Sequence, residues 1–411
     1  MVAERFRKDA EELRPRLVDI RRELHQYPEL SMAEFETTRR IRRFLQDEGI
    51  VILPLDVPVG VVAEVAGERP GPTIALRADI DALPVQEETG LPFASRIDGK
   101  MHACGHDFHT AAMLGAAVLL QKHVRHLHGR VRFLFQPGEE KGCGANVLIK
   151  AGALDGVHAI FGMHNKPDLP VGTIGVKTGP LMASVDGFAI TVSGKGGHAA
   201  VPQAAIDPIV AASAIIGGLQ TAISRSISPF ERAVVSVCQF HAGTSWNVIP
   251  DTAILEGTVR TFEPHVRKNM PGLLQRIAKG IAAGYGADAR LEWFAGTPTV
   301  RNDPVTTEVI RAAAKALHLT IVEAQPSTGG EDFAHYQTKV PGTFIWMGTS
   351  GTEEWHHPRF TVNEEALVPS AALFALAALY AAERWSEPDA AGHRVEAGRT
   401  PRTGEQGRNG K

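Results

Sequence analysis

The run Val131-Arg132-Phe133-Leu134-Phe135-Gln136-Pro137-Gly138-Glu139-Glu140 reads as a buried strand that passes through a turn into two adjacent carboxylates. Neighbouring carboxylates repel unless something positive holds them. A divalent metal would bind one Glu and leave the other to handle a proton. Further ligand types stand at other strand ends: Cys104-Gly105-His106 before the pair, His164 and His356-His357 after it. A thiolate and an imidazole two residues apart suit zinc, and imidazole also serves manganese, cobalt or nickel. Taken singly, a buried Cys is ordinarily core and a loop His ordinarily structural. The reading rests on their common location, and it is a metal-dependent hydrolase.

That location follows from the elements. Residues 5–26 and 34–47 have helical patterning, and 108–122 has helical character. Between them fall short apolar runs at 60–65, 73–77, 131–135 and 159–163. Strands alternating with helices predict an α/β layer with a largely parallel sheet. Ligands in such sheets sit beyond the carboxyl ends of the strands. Asp79 and Asp81, Glu139 and Glu140, and His164 each follow such a run. Asp81 is a candidate to orient a ligand histidine, with helix capping an equal alternative. His102 and His109 flank the Cys-Gly-His motif, and each is read as second-layer or merely structural.

From about Met182 the pattern becomes β-α-β-β-α-β, the order of a ferredoxin-like split unit. The predicted organisation is therefore a catalytic domain over 1–181 and 296–385. An inserted α+β lid or dimerisation domain spans 182–295, and a disordered tail spans 386–411. In the insert, Ser193 to Ala200 is a Gly-rich loop bearing His198. It lacks the Lys-Ser/Thr of a phosphate-binding loop. Asn247 and Arg260 could hold a carboxylate, since Arg suits bidentate recognition; a turn Asn and a solvated Arg are the plain alternatives.

Composition narrows the partners. Of 411 residues, 44% are hydrophobic and 22% charged, and the net charge of −3 gives no reason to expect nucleic acid or an anionic membrane. Three cysteines are no disulfide framework, Cys143 and Cys238 read as structural, and a reducing cytoplasm is expected. The charged opening does not read as a signal peptide. Leu367 to Ala382 is Ala-rich and short for a membrane span, so a core helix is expected. His123, His126 and His128 read as a solvated cluster.

Together the motifs resemble the M20 metallopeptidase family, and more closely its amidohydrolase branch of N-acyl-L-amino-acid, hippurate and indoleacetyl-amino-acid hydrolases. The resemblance runs to about Trp385. It is carried by Arg22 to Leu30, Arg77 to Pro84, His102 to Thr110, Gln136 to Glu140, Gly196 to Ala200, Asn247 to Asp251, Gly330 to Phe333 and His356 to Phe360. It implies a zinc-peptidase-like catalytic domain, with Cys104, His106, Glu140, His164 and His356 on the ligand positions of a two-metal site. It implies Glu139 as general base, and His198, Asn247 and Arg260 as substrate contacts from the insert. His198 can reach the other subunit in related enzymes, so a homodimer through the insert is also implied. Trp355 stands where Leu is common, Gly330 where Ser is common, and Lys141 and Cys143 interrupt a Gly-rich stretch. The expected reaction is hydrolysis of an N-acetyl, N-benzoyl or similar amino acid. A dipeptidase on the same scaffold and a non-catalytic metal or ligand binder are the rivals.

Overall fold

The computed structural model describes residues 2–386. By internal packing the chain forms two compact units. The first comprises 2–179, 302–324 and 335–386, and the second 180–301 with 325–334. The second thus takes in 296–301 and 325–334, beyond the span drawn from sequence. The reason is pairing that no local pattern announces: Ala183 N–H donates to Ser327 O, Ser327 N–H to Leu181 O, and Val185 N–H to Thr297 O.

The first unit is built on an eight-stranded mixed sheet. Its order is 51–52, 61–66, 128–136, 69–79, 157–166, 342–348, 173–176 and 320–323. The four central strands, 128–136 through 342–348, run parallel to one another. They are buried on both faces, which is why they read as unbroken apolar runs rather than alternating ones. Antiparallel pairing at 51–52 with 61–66 and at 61–66 with 128–136 finishes one side. The strands at 173–176 and 320–323 are too short to carry a periodic signal.

Helices His106–Lys122 and Leu367–Ser386 pack against this sheet, and Val2–Gln26 packs on those two helices. Every residue from His106 to Leu120 is buried. The last helix is apolar enough to cross a membrane by length and composition, but it is mostly buried inside the protein, as a core helix is. The tail expected over 386–411 lies outside the described residues from 387 on; Ser386 itself ends the helix. Two smaller expectations fail. His123 is not solvated: its ring stacks on Phe6 at 4.7 Å, and Nε2 meets Asp9 Oδ2 at 2.5 Å. Cys238 is exposed, so no packing role holds it.

The second unit has a four-stranded antiparallel sheet in the order 233–242, 252–261, 184–193, 288–295. Helices Pro208–Ser226 and Pro264–Gly284 share with it a core that includes Ile190, Leu219, Leu255 and Leu274. Asp207 caps the first of these helices by accepting from the amides of Ile209 and Val210.

Candidate metal centre

Four parallel strands deliver the candidate residues to one end of the sheet of the first unit. Strand 69–79 ends at Asp79, and its register pairs Asp79 with Gln136, just before the Pro137–Glu140 turn. The strand Val157–Lys166 carries His164 and Asn165. The strand Gly342–Gly348 leads into the loop that bears His356. Gly105 opens the helix His106–Lys122 in the left-handed region, φ +83°, which lets Cys104 and His106 flank a sharp corner.

The donor atoms converge. One atom each from Cys104, His106 and His164 lies within 4.8 Å of the others, and the same holds for Cys104, Glu140 and His356, and for His106, Glu139 and Glu140. Cys104 Sγ faces His164 Nε2 at 3.3 Å. Glu140 Oε1 is 3.9 Å from His106 Nε2 and 3.5 Å from His356 Nε2. Cys104, His106 and His164 are buried, whereas His356 is exposed at the rim with φ +67°.

Each imidazole is oriented through its other nitrogen. His106 Nδ1–H donates to Asp81 Oδ1 at 3.1 Å, and His164 Nδ1–H donates to the Asn165 carbonyl at 2.9 Å. Both Nε2 atoms are thereby turned into the cluster. Asp81 does more than hold His106. Its Oδ2 accepts from Ser31 Oγ at 2.6 Å and from the Glu140 amide at 3.0 Å. His109, three residues along the same helix, donates from Nδ1 to Asp79 at 2.6 Å and accepts the Asn165 amide on Nε2 at 2.9 Å. It is satisfied on both sides and has no lone pair left for a metal.

Electrostatics follow from burial and charge. Burial opposes ionisation of Asp79, but His106, His109 and Arg77 hold its carboxyl well below the usual range. Burial likewise opposes a charge on His106, yet Asp79, Asp81 and Glu140 push it up to about 10. Burial, with Glu140, Glu139 and Asp79 nearby, pushes the Cys104 thiol well above its usual value. Burial and neighbouring His109 hold His164 well below its ordinary value.

These residues fit a cation. Among the described residues, His106 Nε2 and Glu140 Oε1 are buried without a hydrogen-bond partner. Such atoms are costly unless a partner meets them, and a cation that displaces the His106 proton would meet both. A soft thiolate, three imidazoles and a carboxylate form a donor set suited to zinc or another divalent transition metal.

Some contributors were not singled out from sequence. Glu34 is buried, and its Oε1 accepts the Gly138 amide at 2.8 Å, at the turn that leads to Glu139. Asn165 Nδ2 donates to the Cys104 carbonyl at 2.5 Å. Gln136 Oε1 accepts from Arg77 Nε at 2.9 Å and from Tyr336 OH at 3.0 Å, bracing the same strand ends. The spacing of His106 and His109 on one helix face was the available signal for the Asp79–His109 pair.

His198, Asn247 and Arg260 belong to the second unit. His198 lies on a two-residue strand paired with Val248–Ile249, and the Ala199 amide donates to the Asn247 carbonyl at 3.2 Å, so the two residues adjoin. Both are exposed. Arg260 is on the strand Thr252–Thr261, where its guanidinium meets Thr258 and donates from Nε to the Thr328 carbonyl at 3.2 Å.

The family model described as peptidase family M20/M25/M40 matches residues 75–380. The N-acetylcysteine deacetylase of Bacillus subtilis (strain 168) is 59% identical over 363 residues, which cover 88% of this chain and 95% of that protein. A second protein of that strain, an N-acetyl-L-cysteine deacetylase, is 51% identical over 356 residues, 87% of this chain and 86% of its own length. Among solved structures, the Bacillus subtilis YXEP protein, described as a dinuclear metal binding peptidase from the M20 family, superposes with a TM-score of 0.84. It is 55% identical, covering 91% of this chain and 99% of that one. With a family match over most of its length and relatives this similar along nearly their whole chains, this protein belongs to peptidase family M20/M25/M40.

Proposed function

We propose that this protein hydrolyses the amide bond of N-acyl-L-amino acids, releasing a carboxylic acid and a free amino acid. The observation that carries the reading is a pair of buried polar atoms with no hydrogen-bond partner among the described residues, His106 Nε2 and Glu140 Oε1, beside the Cys104 thiol and a second carboxylate, Glu139. Cys104, His106, Glu140, His164 and His356 would hold two divalent ions, with zinc, manganese, cobalt or nickel as candidates. Bound there, the ions would polarise the acyl carbonyl and make the attacking water more acidic.

The chain's own residues supply the rest. A Glu139 carboxylate oxygen takes the proton of the attacking water and delivers it to the leaving amine nitrogen, so one group acts first as base and then as acid. Asp81 keeps His106 and the Glu140 backbone in register while this happens. His198 donates to the oxyanion as it develops. Asn247 and Arg260 bind the free carboxylate of the amino-acid portion, Arg by its paired donors.

The names of the relatives favour an acetyl group, with N-acetylcysteine the first substrate to try. We also infer a cytoplasmic homodimer formed through the second unit. One of its two edge strands, Ala233–Ala242, has an edge unpaired among the described residues and exposes Val234 and Phe240, as an edge prepared for pairing would. Light scattering on the purified protein tests the dimer.

The activity test is amino-acid release from N-acetyl and N-benzoyl L-amino acids, with the corresponding dipeptides in the same panel. The protein is first stripped of metal and then resupplied with each candidate ion. Metal-dependent release from the acylated substrates is expected. Preference for the dipeptides would replace the proposal with a dipeptidase. No release from folded, metal-loaded protein would leave a binder.

A further inference from the structure

Three separate backbone segments carry Cys104, His164 and His356, and one small set of contacts ties them. Asn165 follows His164 directly. Its side-chain amide reaches across to the Cys104 carbonyl at 2.5 Å. Its own carbonyl and Oδ1 accept the Trp355 indole N–H at 3.1 and 3.2 Å, one residue before His356. The third side of the triangle closes where the His356 amide donates to the Ala103 carbonyl at 2.8 Å.

The space for this clasp is made by Gly105. A Cβ at that position would stand 2.5 Å from Asn165 Nδ2, so the amide occupies room that any other residue would fill. Trp355 contributes its face as well as its N–H. Its ring lies 4.7 Å from that of His164, nearly edge-on, and Lys166 Nζ sits 4.8 Å from its centroid. Ring and hydrogen bond together leave Trp355 little freedom, and the residue it immobilises is attached to the exposed ligand candidate, His356.

We propose that Asn165 and Trp355 are positioning residues that hold the three ligand-bearing segments in their metal-binding arrangement before a metal arrives. The proposal rests on reading Cys104, His106, Glu140, His164 and His356 as the metal-holding set. A site organised in advance does not spend binding energy on ordering its loops. Outer contacts of this kind typically change metal affinity about 10–100-fold.

The test uses cobalt(II) as the probe on metal-free, full-length protein. Affinity is measured by competition with a chromophoric chelator, and the thiolate-to-cobalt absorption band reports whether Cys104 is bound. Trp355→Phe keeps an aromatic ring and removes the N–H donor; Asn165→Ala removes the whole link. Weaker cobalt binding is expected for both, about tenfold for Trp355→Phe and up to about 100-fold for Asn165→Ala. The double variant should be no worse than Asn165→Ala alone, because the two residues act as one connection. Affinities within about twofold of the parent, or losses that simply add, would overturn the clasp even if thermal stability falls. Should Asn165→Ala not fold, the Trp355→Phe affinity decides by itself. If the unaltered protein binds cobalt without a thiolate band, the ligand reading fails and the clasp fails with it. A normal band in the parent with an unchanged Trp355→Phe affinity overturns the clasp alone.

Discussion

Glu34→Gln should stabilise this protein, and only above a certain pH. Glu34 is buried, its Oε1 accepts the Gly138 amide, and its Oε2 has no hydrogen-bond partner among the described residues. Burial, reinforced by the nearby Asp81 charge, pushes its carboxyl up to about 7, against an ordinary value of 4.5. In the unfolded chain the proton leaves near 4.5, whereas in the fold it stays until about 7. Folding between these two values must therefore take a proton up, so stability falls as pH rises from 4.5 to 7 and then levels. Each unit is worth about 1.4 kcal/mol, so the full effect approaches about 3.5 kcal/mol, and residual solvent screening brings it nearer to about 2. Glutamine keeps an acceptor for Gly138 and has no proton to lose. The difference in unfolding free energy between Glu34→Gln and the parent should be near zero at pH 4.5 and grow to about 2 kcal/mol at pH 8. Urea unfolding of the metal-free protein in chelator, repeated at half-unit pH steps, measures it. A difference that stays flat across this range would refute the reasoning, because it would mean that Glu34 ionises in the fold as it does in water.

Other expectations are quicker to check. Glu139→Gln should remove turnover while metal content, read by elemental analysis, stays at the parental level; retained activity would rule out Glu139 as the base. Asp81→Ala removes the carboxylate that orients His106 and holds the Glu140 amide, so metal affinity should drop about 10–100-fold in a chelator competition. Gly105→Ala places a methyl against Asn165 in a left-handed backbone, adding strain of about 1–2 kcal/mol, and should lower both thermal stability and metal affinity. Metal uptake should release protons, since His106 and Cys104 both hold theirs at neutral pH. Affinity should then climb with pH towards about 10 and fall as pH drops, as calorimetry in buffers of different ionisation enthalpy would record.

The sequence disclosed the central strands because strands buried on both faces leave continuous apolar runs, as at 131–135 and 159–163. Residues at the ends of such strands could therefore be grouped before any coordinates, and Cys104, His106, Glu139, Glu140, His164 and His356 do gather in the first unit. Other parts were silent for physical reasons. The strands 173–176 and 320–323 are shorter than any period they could display. Residues 325–334 join the second unit through backbone pairing with Leu181 and Ala183, which leaves no mark on side-chain type. Asn165 and Glu34 act on backbone atoms of distant segments, so their importance depends on a juxtaposition that only folding creates. His123 read as solvated because it stands among other histidines, and its partner Phe6 is more than a hundred positions away.

The order in which the two units are written into the chain also bears on synthesis. Most of the second unit is one continuous stretch, 180–301, whereas the first unit needs its final core helix, Leu367–Ser386, to cover its apolar surface. Domains tend to fold as they leave the ribosome, from the N-terminus onward. Here the middle of the chain can close its own core while the earlier segment still waits for a helix not yet translated. During that interval the nascent protein exposes Ala- and Leu-rich surface that the last helix will hide. It also displays Cys104, His106 and His164 without the loop that brings His356. This window, rather than the finished enzyme, is where a chaperone has most to protect and where premature capture of a wrong metal is easiest.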